Sequence, residues 1–175
     1  MPKATIPKVK PAFDAAAIDE RIKRLAAEIR AEAGDGEVFL LCILKGAAVF
    51  CADLMRSIPG QVGYGFIDVV RDIADTEIAT ALEIDFLSHT ELAGRDVYVL
   101  KDVVTTGVIE NYLLSQLRMH DPASLRLVAL LDRPNLRTVD VVTDHRAFEV
   151  GDGTFVGYGL EQDTRFGNLP YIGRL

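Results

Sequence analysis

Hydrophobic positions near the N-terminus recur with the period of an α-helix. Four apolar residues are spaced four, three and four positions apart: Ile18, Ile22, Leu25 and Ile29. This spacing places their side chains on one face of a helix. Asp14 is of a residue type that caps helix N-termini, and Gly34 follows the last apolar position. The pattern predicts one amphipathic helix between Asp14 and Gly34.

Apolar runs of strand length alternate with helical patterns along the rest of the chain. The runs cover residues 38–44, 62–70, 79–87, 97–100 and 125–131. A helical pattern over 47–55 ends before Pro59, and another follows 101–107 with apolar residues at Ile109, Leu113 and Leu117. Buried strands that lead into helices are typical of a parallel α/β sheet. Two shorter β-type runs, 139–142 and 155–158, lie in the C-terminal part.

Composition places the chain among ordinary globular proteins. It has 175 residues, of which 49% are hydrophobic and 26% charged. A chain of this length buries roughly 70% of its unfolded surface in one domain. The net charge of −7 argues against nucleic acid and anionic membranes as partners, because both require a cationic surface.

Cysteine and histidine positions offer no metal or disulfide chemistry. Cys42 and Cys51 lie in an apolar stretch without zinc-ligand spacing, which predicts buried thiols in a reducing compartment and a cytoplasmic location. Residues 1–13 contain no apolar segment of a signal peptide, and Lys45-Gly46 interrupts the long apolar stretch, so no membrane span is expected. Three histidines lack metal-ligand spacing: His89, His120 and His145.

Three loops at the predicted strand ends contain groups that suit a phosphate. They are Lys45-Gly46, residues 101–107 and residues 132–134. Ligands of open parallel sheets bind beyond these carboxyl ends, where helix N-termini offer N–H groups to anions. Thr105-Thr106-Gly107 adds two hydroxyls before a helix, although a plain helix cap remains an alternative interpretation. The usual P-loop and dinucleotide-binding fingerprints do not occur.

Four segments, in this order, resemble the 6-oxopurine (hypoxanthine-guanine) phosphoribosyltransferases. They are residues 41–47, 97–107, 129–134 and 155–161 with 168–173. The resemblance implies the α/β type I phosphoribosyltransferase fold over residues 1–175 as a single domain. In that fold a mainly parallel twisted sheet is flanked by helices, and the N- and C-terminal segments form a small hood.

The resemblance also implies a reaction and its participants. A purine base and 5-phosphoribosyl pyrophosphate (PRPP) give a nucleotide and pyrophosphate, with Mg²⁺ as the cofactor. Positioning and electrostatic stabilisation are expected to dominate such catalysis. Members of the family usually assemble as dimers or tetramers, so a homo-oligomer is expected.

Residue roles follow from the resemblance, position by position. It implies phosphate contacts from Lys45, Gly46, Thr105, Thr106, Gly107, Val108 and Ile109. It implies base contacts from Arg133, Phe155 and Val156, with the purine stacked on the Phe155 ring. Asp102 and Glu161 match the metal-binding carboxylates, and Asp102 and Thr105 occupy the catalytic positions. The family often has a non-proline cis peptide in the loop that matches residues 44–46.

Several residues depart from the family pattern. Lys101 replaces an acid, and Thr105 replaces the aspartate thought to take the proton from purine N7. Since a threonine hydroxyl has no useful basicity at neutral pH, general-base catalysis worth roughly 10²–10⁴ in rate is expected to be absent. Gly167 replaces an arginine that contacts pyrophosphate, with Arg165 nearby, and residues 71–77 lack the Ser-Tyr pair of the family's flap.

Two functions stay open on these residues. The first is a purine phosphoribosyltransferase acting on hypoxanthine or guanine. The second is a non-catalytic regulatory protein that binds a purine nucleotide or PRPP. The altered residues at positions 101, 105 and 167 are the reason that both functions stay open.

Overall fold

Strands and helices alternate along the chain in the computed structural model, which describes residues 9–71, 82–86 and 91–175. The described strands are β1 Lys10–Phe13, β2 Val38–Ile43, β3 Val62–Arg71, β4 Leu82–Phe86, β5 Asp96–Val104, β6 Ser124–Asp132, β7 His145–Glu149, β8 Phe155–Val156 and β9 Ile172–Arg174. The helices are α1 Ala15–Ala33, α2 Ala48–Ser57 and α3 Val108–Arg118, with a 3₁₀ turn at Pro134–Leu136. Within these residues, no helix combines the length and apolar character needed to cross a membrane.

The main sheet has six described strands in the order β4-β3-β2-β5-β6-β7. All neighbours pair in parallel except β4, which runs antiparallel to β3 at the edge. Every residue of β2 is buried, because helices cover both faces of the sheet. The predicted parallel α/β sheet is therefore confirmed.

Alternate side chains of the central strands supply two separate apolar cores. Leu40 and Cys42 pack on one face with α1 and α2. Phe39 and Leu41 pack on the other face with α3. Since successive residues of a strand point to opposite faces, one apolar run serves both cores.

The chain termini form a small sheet beside the main one. Its order is β1-β9-β8, with both pairs antiparallel. Lys10 pairs with Arg174, and Arg174 also pairs with Phe155. The hood predicted from the N- and C-terminal segments is thus present.

The predicted helix cap and buried thiols are also confirmed. The Asp14 carboxylate accepts a hydrogen bond from the Ala17 N–H at 2.8 Å and begins α1. Cys42 and Cys51 are free and buried, and their mutual hydrogen bond together with burial raises the pKa of the Cys42 thiol. In the described ranges no three His, Cys, Asp or Glu side chains form a metal-binding group. Residue His89 lies outside those ranges.

Two local predictions were wrong. Residues 101–104 are the last part of β5 rather than a loop, since Lys101 and Val103 pair with Ala129 and Leu131 of β6 despite the change to polar side chains. Residues 139–142 form no strand. The Val141 side chain packs against Gly107 instead, and β7 begins at His145, where the sequence shows no clean alternation.

Candidate active site

The three predicted phosphate loops lie at one edge of the main sheet. They follow β2, β5 and β6, which are neighbours in the sheet and run in parallel. Their carboxyl ends therefore meet, as expected for a ligand site in an open α/β sheet.

The loop after β2 approaches β5 closely. The peptide bond between Leu44 and Lys45 is cis, as the resemblance implied. A side chain at Gly46 would collide with the Asp102 carboxylate, so this position requires glycine. Lys45 forms an ion pair with Glu161, which comes from the C-terminal part of the chain. The loop thus links both predicted metal-binding carboxylates to the predicted pyrophosphate site.

The loop after β5 presents the N-terminus of α3. Gly107 adopts a positive φ of 82° and caps the helix, and the Val108 N–H lies 3.4 Å from the Thr106 hydroxyl oxygen. First-turn N–H groups of a helix have no partner within the helix and carry the positive end of its dipole. Thr106 and Val108 are exposed, and Thr105 and Ile109 are partly exposed. The predicted phosphate cradle is therefore accessible.

Arg137 braces this cradle from the segment after β6. Its Nη1 donates to the Thr105 carbonyl oxygen at 2.8 Å, and its Nη2 donates to Asp132 and, at 3.1 Å, to the Thr143 hydroxyl. The Thr138 N–H donates to the Thr106 carbonyl oxygen at 3.0 Å. Sequence reasoning missed Arg137, since its partner Thr105 is 32 residues away and no local pattern marks the contact.

Lys101 and Asp102 form an ion pair at the end of β5. The Asp102 carboxylate also accepts the Val103 N–H at 2.8 Å. The two side chains are only 18% and 25% exposed, so solvent screens their attraction less than at an open surface. Asp102, one of the two carboxylates that the resemblance implied as metal ligands, is thus neutralised by its neighbour.

Glu110 is a second residue that the sequence analysis missed. It lies in the first turn of α3 and is only 4% exposed. Burial raises the pKa of its carboxyl group, while the positive charges of Lys101 and Arg137 oppose the rise. The helical pattern marked the neighbouring leucines but gave no reason to expect a buried acid.

The predicted base-binding residues lie together at the end of β6 and in β8. The guanidinium carbon of Arg133 lies 5.4 Å from the centroid of the Phe155 ring. Its Nη2 donates to the Gly153 carbonyl oxygen, and its buried Nε has no partner among the described residues. Val156 is fully buried in β8. One aromatic face and a cation with unused donors thus adjoin each other.

A cavity of about 770 Å³ opens beside Glu161. Its lining residues are Gly159, Glu161, Thr164, Arg165, Phe166, Gly167 and Asn168. Arg165 and Gly167 thus line the same space. Of the predicted flap, residues 72–77 lie outside the described residues.

Known proteins resemble this chain in sequence and in structure. A family model described as the phosphoribosyl transferase domain matches residues 13–163. The hypoxanthine-guanine phosphoribosyltransferase of Bacillus subtilis is 35% identical over 162 residues, which cover 90% of this chain and 88% of that protein. The hypoxanthine-guanine-xanthine phosphoribosyltransferase of Tritrichomonas foetus is 33% identical and covers 90% and 86%.

A solved structure of a hypoxanthine-guanine phosphoribosyltransferase from Bacillus anthracis matches with a TM-score of 0.88 and 29% identity, over 96% of this chain and 99% of that one. A Trypanosoma cruzi hypoxanthine phosphoribosyltransferase, solved as a ternary substrates complex, matches with a TM-score of 0.88 and 28% identity, over 95% and 94%.

Proposed function

The chain belongs to the phosphoribosyl transferase domain family, and we propose that it transfers the phosphoribosyl group of PRPP to a 6-oxopurine base, hypoxanthine or guanine. The observation that carries the proposal is the placement of an accessible helix N-terminus, Thr105 to Ile109, at the same sheet edge as the Arg133–Phe155 pair. The helix N-terminus suits a sugar phosphate, and the Arg133–Phe155 pair suits a flat base. Relatives at 33% and 35% identity carry the names of such enzymes.

The transfer exchanges one bond at the ribose for another. The N9 lone pair of the purine forms a bond to C1′ while the bond from C1′ to the pyrophosphate oxygen breaks. The electron pair leaves with pyrophosphate, and the imidazole proton of the base leaves to solvent. In this scheme the cradle at Thr105–Ile109 holds the 5′-phosphate, and Lys45 and Gly46 hold the pyrophosphate.

The base binds between groups that fix its plane and its edge. Phe155 provides the stacking surface, the backbone of Val156 contacts the edge of the ring, and Arg133 donates to the 6-oxo group. The unpartnered Arg133 Nε supports this role, since a buried donor without a partner is costly until a ligand satisfies it.

Thr105 lies at the position from which the family's aspartate takes a proton. Its side chain is neutral at all relevant pH values, so the proton leaves without help from this residue. Catalysis then depends on positioning and on electrostatic stabilisation of the departing pyrophosphate. A slow enzyme is the expected consequence.

Asp102 and Glu161, the two predicted Mg²⁺ ligands, do not fit a metal site built by the protein. Lys101 pairs with Asp102, and Lys45 pairs with Glu161, so each carboxylate already has a cation. Mg²⁺ in such enzymes typically takes one or two carboxylates together with substrate phosphates. We therefore propose that any Mg²⁺ arrives with the diphosphate of PRPP.

Three broader predictions belong to the same proposal. Residues 1–175 act as a single phosphoribosyltransferase-like domain, the protein forms a dimer or tetramer, and it works in the cytoplasm without nucleic acid or membrane partners. The net charge of −7 supports the absence of polyanionic partners. Size-exclusion chromatography with light scattering measures the oligomeric state directly.

An assay of nucleotide formation tests the proposed reaction. The purified chain is incubated with PRPP, Mg²⁺ and hypoxanthine, guanine, xanthine or adenine, and products are separated by chromatography. The expected result is inosine or guanosine monophosphate together with one equivalent of pyrophosphate. Absence of product with every base, combined with a higher Tm in the presence of PRPP or guanosine monophosphate, would favour the non-catalytic regulatory protein.

A further inference from the structure

Two lysine–carboxylate pairs occupy the positions where a divalent cation was expected. One pair joins Lys101 to Asp102 within β5, and the other joins Lys45 to Glu161 across the loop after β2. Asp102 also lies against Gly46, so the two pairs are parts of one continuous surface. The Lys101–Asp102 pair is the stronger of the two, because its side chains are 18% and 25% exposed, whereas Lys45 is 70% exposed and solvent screens its pair with Glu161.

These pairs change the charge that PRPP meets. Lys45, Lys101, Asp102 and Glu161 carry two positive and two negative charges and sum to zero. The family pattern, with an acid at position 101, carries a net −2 on the same four positions. Such a net negative charge repels a polyphosphate, and a divalent cation offsets that repulsion. With a lysine at position 101 the four positions have no net charge, so this repulsion is absent.

Other nearby charges add to the same effect. The N-terminus of α3 directs the positive end of the helix dipole toward the site, while Arg137 beneath the cradle is already paired with the buried Asp132. Position 105, an acid in the family, is a neutral threonine. The site is therefore electrostatically prepared for an anion within an acidic chain.

We propose that Lys101, assisted by Lys45, supplies the charge neutralisation that a divalent cation provides elsewhere, so that PRPP binds this chain without Mg²⁺. The proposal rests on the proposed function for the identity of the ligand. Lys101 keeps Asp102 neutralised while that carboxylate accepts the ribose hydroxyls, and Lys45 lies beside the pyrophosphate. The departing pyrophosphate leaves with its electron pair toward these ammonium groups.

Calorimetric titration of PRPP into the full chain tests the proposal, once with Mg²⁺ and once with excess EDTA. The expected dissociation constants agree within about tenfold. A loss of about a hundredfold or more in EDTA for the unaltered chain would overturn the proposal without recourse to any variant.

Substitutions at Lys101 assign the effect to this residue. Lys101→Met is expected to weaken binding in EDTA by about tenfold more than in Mg²⁺, and Lys101→Arg, which keeps the charge, restores binding. Lys23→Met removes the lysine of an exposed pair with Asp19 on α1 and serves as the matched control, with no change expected. Equal Mg²⁺ dependence in Lys101→Met and the unaltered chain would contradict the role of Lys101.

The two proposals fail in different ways. PRPP binding in EDTA without nucleotide formation under any condition would refute the transferase and support the lysine pairs. If nucleotide formation and PRPP binding both require Mg²⁺, the transferase is supported and the proposal that the lysines replace Mg²⁺ is refuted.

Discussion

Thr105 is the residue at which the chemistry of this site can be changed with least effect on its structure. Arg137 holds the Thr105 carbonyl oxygen, not the side chain, so a substitution leaves the brace intact. We expect Thr105→Asp to raise kcat with hypoxanthine by about tenfold or more, because it supplies a carboxylate near purine N7. The pH dependence of kcat/KM is expected to gain an acidic limb from the new group.

Thr105→Asn provides the control for this prediction. It has nearly the same shape as the aspartate variant but no basicity, so its kcat is expected to stay near that of the unaltered chain. An equal rise in both variants would show that shape or hydrogen bonding, not proton transfer, limits the reaction.

Single residues differ in how far the sequence could predict them. Lys45 and Gly46 were predictable, because they follow a strand directly and local backbone geometry places them at the sheet edge. The contacts of Arg137 with Thr105 and of Lys45 with Glu161 were not, since both depend on which distant segments meet in three dimensions. The sequence placed Lys101 beside Asp102 but did not show that the two side chains pair.

The segment between β6 and β7 acts as a brace for the N-terminus of α3. Arg137 joins the Thr105 backbone to Asp132, whose side chain is only 2% exposed. We expect Arg137→Met to lower the free energy of unfolding by about 3 kcal/mol, because it removes a partner of a buried charge. The same variant is expected to bind guanosine monophosphate more weakly by about tenfold, since the cradle loses its support.

Arg146→Met separates these two effects. Arg146 also pairs with Asp132, at 3.1 Å, but is 45% exposed and does not contact the cradle among the described hydrogen bonds. Its loss is expected to cost about 1 kcal/mol or less and to leave nucleotide affinity unchanged. Denaturant unfolding and calorimetry measure the two quantities, and equal losses of affinity in both variants would contradict the bracing role.

For the helices and strands, the hydrophobic period predicted whether each long segment is a helix or a strand better than it predicted the residue at which that segment ends. β5 continues through Lys101 and Asp102 because its backbone pairs with β6 regardless of side-chain polarity. The short apolar run at 139–142 has the side chains of a strand but no strand partner among the described residues. Val139 and Val141 contact the glycine that caps α3 instead. Pairing between distant segments thus decided where these elements end.

For the molecule as a whole, net charge concealed the character of the site. The chain carries −7 overall, yet three cations, Lys45, Lys101 and Arg133, lie where a polyphosphate and a base are proposed to bind. The fold achieves this by bringing together the ends of three strands that are far apart in sequence. Composition therefore gave only the expectation that polyanionic polymers are not partners, and the topology showed which strand ends meet at the proposed anion site.

Glu110 couples the stability of the whole molecule to pH. Its ordinary pKa is 4.5, and burial raises the value in the folded state, with Lys101 and Arg137 opposing and Asp102 adding to the rise. Below pH 4.5 the carboxyl group is protonated in both the folded and the unfolded state, so its burial does not lower the free energy of unfolding. As pH rises through the folded-state pKa, the unfolded state releases its proton more readily, so stability falls.

We therefore expect Glu110→Gln to raise Tm at neutral pH by about 2–4 °C, which corresponds to about 1 kcal/mol for a chain of this size. The gain should shrink toward zero as pH falls to 4.5, the ordinary value for this group. Glu20→Gln, on the exposed face of α1, is the control and should show no such pH-dependent gain. A lower Tm for Glu110→Gln at neutral pH would mean that Lys101 and Arg137 stabilise the buried carboxylate by more than burial costs it.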